Sequence, residues 1–290
     1  MSGTTANITV TANDAPCGAV VHGVDLTRAL AREQITAIRD TWLAHQVLVF
    51  PTPSVGNQPL ALEELERFAS TIGPFGVDPY FGAVPGHPNV AQVKRAADET
   101  TRIFAEAWHS DWSFLASPPQ ATLLYGNVIP PVGGDTLFAN QYMAWDALPE
   151  ALKRQVANKM GVHSARRGYS PQGSYGESDK GRSMDIRYSD TAMATQLHPI
   201  ARVHPETGRT ALYVSPGYTI GVDGMPDDEA QALLGQLFVH QAQPEFVYRH
   251  RWSEGMLLMW DNRCLVHAAT GGYDGHARLL HRITLAERPT

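Results

Sequence analysis

The sequence has no long apolar run, and it does not begin with a basic stretch followed by an apolar one. A membrane-spanning helix needs about 20 mostly apolar residues, and no segment of that kind is present. Residues 1–11 are polar and lack the charged and apolar regions of a secretory signal. We therefore expect a protein that neither spans a membrane nor carries a secretion signal.

Basic residues and cysteines are also scarce. The chain has 23 Lys and Arg against 29 Asp and Glu, a net charge of −6, and no basic block. Nucleic-acid binders usually present clustered Lys and Arg, so this balance argues against a nucleic-acid partner. Cys17 and Cys264 are too few for a disulfide framework, which predicts a reducing, cytoplasmic location.

The chain is instead rich in short strand-like segments spread over its 290 residues. Alternating or short apolar runs predict strands at 7–11, 18–21, 46–50, 89–93, 121–129, 135–139, 200–204, 211–214, 245–251, 256–261 and 278–285. Helical spacing of apolar residues predicts helices at 32–45, 60–72, 141–147, 149–158 and 226–240. This pattern favours a mainly β fold, a sandwich or jelly roll with flanking helices, formed as one domain over residues 1–290.

Residues 164–195 differ from the rest, because they are rich in Gly, Ser, Arg and Asp and show almost no apolar period. Loops of this length are usually lids, binding loops or mobile segments. We interpret the segment as an active-site lid, with a disordered surface excursion as the alternative.

One histidine stands beside a carboxylate at a useful spacing. In an extended segment, residues i and i+2 point to the same side, so His109 and Asp111 can hold two adjacent positions on a metal. His267, after an apolar strand and a turn, is the best third ligand, although spacing alone leaves His276 and His281 open. Two histidines and one carboxylate leave three positions free, which is typical of iron(II) oxygenases. A 2-oxo acid would take two of these positions and O2 the third.

The last predicted strand carries Arg278 and Arg282 on the same face, together with Leu280. Buried guanidinium groups are unfavourable unless each meets an anion, and arginine grips carboxylates in a bidentate way. This pair could bind the distal carboxylate of an oxo acid. In the alternative, both arginines are surface ion-pair residues, and Leu279 and Ile283 form the buried face.

Taken together, these segments resemble the taurine dioxygenase/2,4-D dioxygenase (TauD/TfdA) family of 2-oxoglutarate-dependent oxygenases. The resemblance runs from about Cys17 to Leu285. It rests on four stretches: GAVVHGVDLTRAL, AWHSDWSFLASPPQATLLY, GGDTLFAN and WDNRCLVHAATGGYDGHARLLHRITL. It implies a double-stranded β-helix, that is a jelly roll with flanking helices, and a homo-oligomer, either a dimer or a tetramer.

The resemblance also implies roles for individual residues. His109, Asp111 and His267 would bind Fe(II), and O2 and 2-oxoglutarate would be co-substrates. Thr136 and Arg278 would hold 2-oxoglutarate. A small-molecule substrate would place its anionic group at Arg282.

This sequence departs from the family pattern at one place. Sulfonate-using members carry a His-Pro after the second helix, where this chain has Asp78-Pro79-Tyr80. An aspartate would repel a sulfonate, which disfavours taurine. The resemblance then favours a carboxylate held by Arg282 alone, or a zwitterion whose amine meets Asp78, with Asp78 and Tyr80 both in the substrate site.

Two other functions use the same residues. A zinc hydrolase could be built on these histidines, but the chain lacks His-Glu-x-x-His and the paired arginines would have no role. A non-catalytic jelly roll could sense an anion through Arg278 and Arg282, but it would not need an intact ligand set.

Overall fold

The computed structural model describes residues 8–51, 53, 54, 56 and 58–287. The strands are β1 (Thr9–Ala12), β2 (Ala19–His22), β3 (Val47–Phe50), β4 (Ala83–Val84), β5 (His87–Arg95), β6 (Ala121–Val128), β7 (Thr136–Asn140), β8 (Met160–Ser164), β9 (Thr195–Pro199), β10 (Ala201–Val203), β11 (Thr210–Leu212), β12 (Thr219–Val222), β13 (Val247–His250), β14 (Leu257–Asp261), β15 (Leu265–Ala269) and β16 (Arg278–Leu285). The helices are α1 (Arg32–His45), α2 (Leu62–Ile72), α3 (Gln141–Asp146), α4 (Glu150–Val156), α5 (Arg166–Tyr169) and α6 (Asp227–Gln241).

Two sheets form the jelly roll that the sequence predicts. The larger has the order β1-β2-β3-β14-β6-β16-β5-β4, and the smaller has the order β13-β7-β15. Their strand pairs are antiparallel apart from β2 with β3. An apolar cluster joins the two sheets, because it contains Phe138 of β7, Leu265 of β15 and Trp260 of β14. The functional residues can therefore lie between the sheets.

The central strands of the large sheet are buried on both faces. Leu48 of β3 and Met259 of β14 pack with the helix residue Trp42, whereas their neighbours Val49 and Leu258 point to the interior between the sheets. Because successive side chains of a strand point to opposite faces, covering both faces requires the continuous apolar runs seen here. Helices α1 and α2 thus cover the outer face of the large sheet.

A second group of strands and helices packs beside the jelly roll. It contains the sheet β12-β8-β9, the pair β10-β11 and helix α6. Leu233, Leu234 and Leu237 of α6 pack against Leu148 and Val222 in a separate apolar cluster. Within the described residues, no helix combines the length and apolarity that crossing a membrane requires.

Most predicted elements are present, and the differences are informative. Helix α1 has the predicted bounds, and β16 does as well. The first predicted strand includes Asn7, which lies outside the described residues; β1 begins at Thr9. The prediction missed β4, β8, β9, β12, β15 and α5. Several of these are short, or mix polar and apolar residues without a clear period, so pairing partners distant in the sequence decide their conformation.

Residues 164–195 pack onto the rest of the chain through defined contacts. The Tyr169 ring is buried and stacks on Tyr80, with the ring centroids 4.5 Å apart. Main-chain hydrogen bonds hold the segment to itself and to its surroundings, for example from Ser189 to Tyr169 and from Arg187 to Tyr80. A role as a lid remains a prediction.

A buried ion-pair network fixes the turn between β14 and β15. Asp261 accepts hydrogen bonds from Arg263 at 2.7 and 2.9 Å and lies 3.1 Å from His204. Arg263 also reaches Glu206, at 2.7 Å, and Glu206 binds Arg39 of α1. Burial would raise the pKa of Asp261, but Arg263 and His204 hold it well below its usual value. The network thereby ties α1 to the turn that precedes β15.

We expect Arg263→Met to lower the free energy of unfolding by about 3–5 kcal/mol, because it leaves the Asp261 carboxylate buried without its main partner. Urea unfolding followed by circular dichroism would measure the loss. Arg187→Met is the matched control. Its side chain and its partner Asp185 are 67% and 65% exposed, so it should change stability by less than about 1 kcal/mol. Equal losses in the two variants would contradict the structural role of the network.

Candidate metal centre

A pair of main-chain hydrogen bonds joins two distant parts of the chain. The N–H of His109 donates to the carbonyl of His267 at 3.0 Å, and the N–H of His267 donates back at 2.8 Å. The two imidazole rings lie side by side, with centroids 4.2 Å apart. His109 Nδ1 is 2.8 Å from the carbonyl of Ala107, so Nδ1 carries the proton and the lone pair is on Nε2.

Asp111 completes the group that the sequence predicts. Its Oδ1 lies 3.7 Å from His109 Nε2 and 3.8 Å from His267 Nε2. The three donor atoms lie within 4.8 Å of one another, and all three side chains are buried. His276 and His281, which spacing alone leaves open as the third ligand, do not join this group. His276 is exposed, and His281 Nε2 faces Gln92.

A directed chain of hydrogen bonds orients the Asp111 carboxylate. The indole N–H of Trp260 can only donate, and it binds Asn262 Oδ1 at 2.9 Å. Asn262 therefore presents its amide N–H to Thr122 Oγ1, also at 2.9 Å. The Thr122 hydroxyl must then donate to Asp111 Oδ2, at 2.6 Å. This arrangement holds Oδ2 and turns Oδ1 toward the two histidines.

The protonation states of the three residues suit a divalent cation. Burial, reinforced by His109, lowers the pKa of His267 to about 3, and burial also lowers the pKa of His109. Burial would raise the pKa of Asp111, but Arg282 and the two histidines reduce it to about 2. Two neutral imidazoles and one carboxylate form the donor set that non-haem Fe(II) oxygenases use.

An inner cavity lies next to these three residues, between the two sheets. Its walls include Val93, Phe104, Ala105, Leu124, Thr136, Trp260, Ala269, Arg278 and Arg282. Arg278 donates to the carbonyl of Gly134 at 3.2 Å, and its buried Nε has no hydrogen-bond partner. Among the described residues, no carboxylate lies within ion-pair distance of this guanidinium. Burial lowers its pKa to about 10, as expected for a cation that lacks an anion.

Arg282 is in a different electrostatic environment. Its Nη2 lies 3.1 Å from Asp111 Oδ1 and 3.7 Å from Asp78 Oδ1. Its guanidinium also lies over the rings of Phe81 and Trp112, about 5 Å from each centroid. Both Arg278 and Arg282 are buried, so the alternative in which they are surface residues is wrong.

Asp78 and Tyr80 lie behind the cavity walls. Asp78 accepts a hydrogen bond from the indole of Trp112 at 2.6 Å and faces Arg282. Tyr80 packs between Tyr169 and Phe114. Neither residue lines the inner cavity, so each contacts residues of the site from behind its wall. Direct contact of either with substrate remains a prediction.

An outer cavity of about 210 Å³ shares Phe104, Ala105 and His109 with the inner cavity. Its walls are formed by Phe104, Ala105, Ala107, His109, Arg167, Gly168, Tyr169, Ser174, Tyr175, Pro216, Gly217 and Tyr218. Sequence reasoning missed most of these residues, as well as Thr122 and Asn262. Only the position of 166–175 within the unusual segment 164–195 pointed toward this wall.

Comparisons with known proteins agree with this geometry. The family model described as taurine catabolism dioxygenase TauD, TfdA family matches residues 8–284. An alkylsulfatase of Acinetobacter baylyi is 33% identical, over 94% of this chain and 83% of its own length. An alpha-ketoglutarate-dependent 2,4-dichlorophenoxyacetate dioxygenase of Cupriavidus pinatubonensis is 32% identical, over 89% of this chain and 90% of its own.

A solved structure has a similar fold over nearly the whole length of this chain. The crystal structure of a taurine dioxygenase from Burkholderia xenovorans superimposes with a TM-score of 0.78 and 32% identity. The match covers 97% of this chain and 91% of that one.

We expect Thr122→Val to weaken divalent-metal binding about 10–100-fold, because Asp111 Oδ2 loses the donor that orients it. Isothermal titration with Fe(II) under argon would measure the affinity. Thr122→Ser keeps the hydroxyl and should bind within a few-fold of the wild type. If both variants bind metal as tightly as the wild type, the hydrogen-bond chain does not position Asp111.

Proposed function

The chain belongs to the TauD/TfdA family of 2-oxoglutarate-dependent dioxygenases. From this premise, we propose that it holds Fe(II) between His109, Asp111 and His267. We propose further that it oxidises a small anionic organic substrate. One observation carries the proposal. A buried guanidinium without an anion, Arg278, lines the same cavity as a cluster of two histidines and one carboxylate.

The bound groups would supply the oxidation itself, as O2 converts 2-oxoglutarate into succinate and CO2 and delivers one oxygen atom to the substrate. The chain's own residues bind and orient. His109 and His267 offer neutral nitrogen donors and Asp111 offers an anionic oxygen, so the protein contributes one negative charge toward a divalent cation. The remaining positions stay available to small ligands.

Arg278 and Thr136 are suited to the distal carboxylate of 2-oxoglutarate. Trp252 donates its indole N–H to Thr136 Oγ1 at 3.0 Å, so the Thr136 hydroxyl proton is free for an acceptor in the cavity. Arg278 offers a guanidinium edge whose charge no described carboxylate balances. A carboxylate placed between them would satisfy both groups with charge-assisted hydrogen bonds.

The substrate class follows from the relatives. Their names include an alkylsulfatase, a 2,4-dichlorophenoxyacetate dioxygenase and a sulfate ester dioxygenase, so anions with an ether or ester oxygen are the leading candidates. Hydroxylation at a carbon bearing such an oxygen gives a labile product that splits into a carbonyl compound and a leaving group. The family resemblance places the substrate anion at Arg282, with Asp78 and Tyr80 behind it, and this role remains a prediction.

Exclusion of water would come from the aromatic walls. Tyr169 and Tyr175, from the segment 164–195, line the outer cavity, which supports a covering role for this segment. The zinc-hydrolase and anion-sensor alternatives receive no support from relatives named as oxygenases. A cytoplasmic location and a homo-oligomeric state remain predictions.

The anaerobic protein with Fe(II) and 2-oxoglutarate should show a weak metal-to-ligand charge-transfer band in its visible spectrum. His109→Ala and Asp111→Ala should abolish or strongly weaken the band, because each removes one metal donor. Metal content and circular dichroism of the same samples serve as controls for loading and folding. A folded, iron-loaded wild type without the band would refute the proposed function.

Arg278→Gln should keep the band but require more than about 25-fold more 2-oxoglutarate to reach it, because losing a buried charge-pair partner costs at least about 2 kcal/mol. A titration of band intensity against 2-oxoglutarate gives the midpoint. Arg251→Gln, an exposed arginine before β14, is the matched control and should leave the midpoint unchanged. An unchanged midpoint in Arg278→Gln would remove this residue from the co-substrate site.

A further inference from the structure

The Asp78 carboxylate contacts three residues around the proposed metal centre. Its Oδ1 accepts hydrogen bonds from the indole N–H of Trp112 at 2.6 Å and from the hydroxyl of Thr284 at 3.4 Å. The same oxygen lies 3.7 Å from Arg282 Nη2, and the side chain is only 15% exposed. Thr284 and Arg282 are two residues apart on β16, so they point to the same face of the strand. One carboxylate thus joins this strand to the residue after Asp111.

Trp112 has an unusual backbone conformation. Its φ is +46°, which bulky residues rarely adopt, and its side chain is buried. The ring lies 4.9 Å from the Arg282 guanidinium, and the Phe81 ring lies 5.0 Å from it. The hydrogen bond to Asp78 therefore fixes a strained residue that adjoins the metal ligand Asp111 in sequence and covers Arg282 in space.

Two carboxylates share the charge of Arg282. Its Nη2 is 3.1 Å from Asp111 Oδ1, the oxygen that faces the two histidines, and 3.7 Å from Asp78. Burial would lower the pKa of Arg282, but Asp111 and Asp78 raise it. Nη2 makes no hydrogen bond within the described chain, so it can still donate to another anion. Arg282 and a metal ion would therefore compete for the same Asp111 oxygen.

Asp78 can compensate for this competition. A divalent cation at Asp111 Oδ1 would draw that oxygen away from Arg282, and a buried guanidinium left without an anion is unfavourable. Asp78 is the other carboxylate within 4 Å of this guanidinium. Burial raises the pKa of Asp78, whereas Arg282 and the indole of Trp112 lower it, so these two partners favour its charged form.

We infer that Asp78 is the counter-ion that holds Arg282 beside the occupied metal site, and that it thereby sets the balance between two affinities. It favours metal binding, because it keeps Arg282 from competing for Asp111. It weakens the binding of a substrate anion at Arg282, because it competes with that anion for one guanidinium. The inference rests on the proposed function, and it gives Asp78 a positioning role that needs no direct contact with substrate.

The test measures both affinities by anaerobic isothermal titration. Asp78→Asn keeps an acceptor for Trp112 and removes the charge. We expect the affinity for Fe(II) to fall about fivefold or more, and the affinity of the Fe(II)–2-oxoglutarate protein for hexyl sulfate or 2,4-dichlorophenoxyacetate to rise about threefold or more, because a unit charge within a few ångströms acts oppositely on a cation and an anion. Asp146→Asn, whose side chain is 67% exposed and pairs with Arg209, is the control and should change neither affinity by more than about twofold.

Opposite shifts identify the counter-ion role, since a variant that only disturbs packing would weaken both kinds of binding. An unchanged affinity for Fe(II), a fall in both affinities, or no gain with either anion would overturn the inference. Asp78→Ser is a second neutral variant with the same expected pair of shifts, and circular dichroism checks the folding of both. If the wild type shows its charge-transfer band but the shifts are absent, only the role of Asp78 is lost.

Discussion

The candidate site depends on the pair of main-chain hydrogen bonds between His109 and His267. These bonds join a loop before β6 to strand β15 of the small sheet, and they set the two imidazoles side by side. Main-chain atoms fix the distance between the two residues, and the hydrogen bond from His109 Nδ1 to the carbonyl of Ala107 orients one of the rings. Asp111 then reaches the same point because it lies two residues after His109, and Thr122 of the large sheet fixes its carboxylate. The site is therefore assembled from both sheets of the jelly roll.

The charges between the sheets follow a simple division. Arg282 is balanced by Asp111 and Asp78, whereas the buried Arg278 has no carboxylate partner within the described chain. Both arginines line the inner cavity, which shares Phe104, Ala105 and His109 with the outer cavity. One anion beside Arg278 would complete the charge balance of the inner cavity. This balance matches a reaction that uses a dicarboxylate co-substrate.

The sequence predicted more of the inner site than of the outer one. His109, Asp111, Thr136 and Arg278 lie in or beside motifs, and alternation along β16 correctly placed both arginines on one face. Strand β15 was missed because Leu265–Ala269 is short and follows β14 after a tight turn, although it carries His267. Thr122 and Asn262 were missed because a polar residue within an apolar strand, or in a turn, gives no sign of the partner it will meet.

The sequence by itself determined the mainly β fold, the metal-binding residue types and the family, because these depend on local periodicity and on motifs of contiguous residues. Only the tertiary structure decided which groups meet across the chain. The contact between Trp260, Asn262 and Thr122, the pairing of Arg282 with Asp78, and the place of Arg167 on the outer wall all join residues from separate elements. Burial and charge balance depend on such contacts, since a side chain's electrostatic environment is set by its neighbours in space and not by those in sequence.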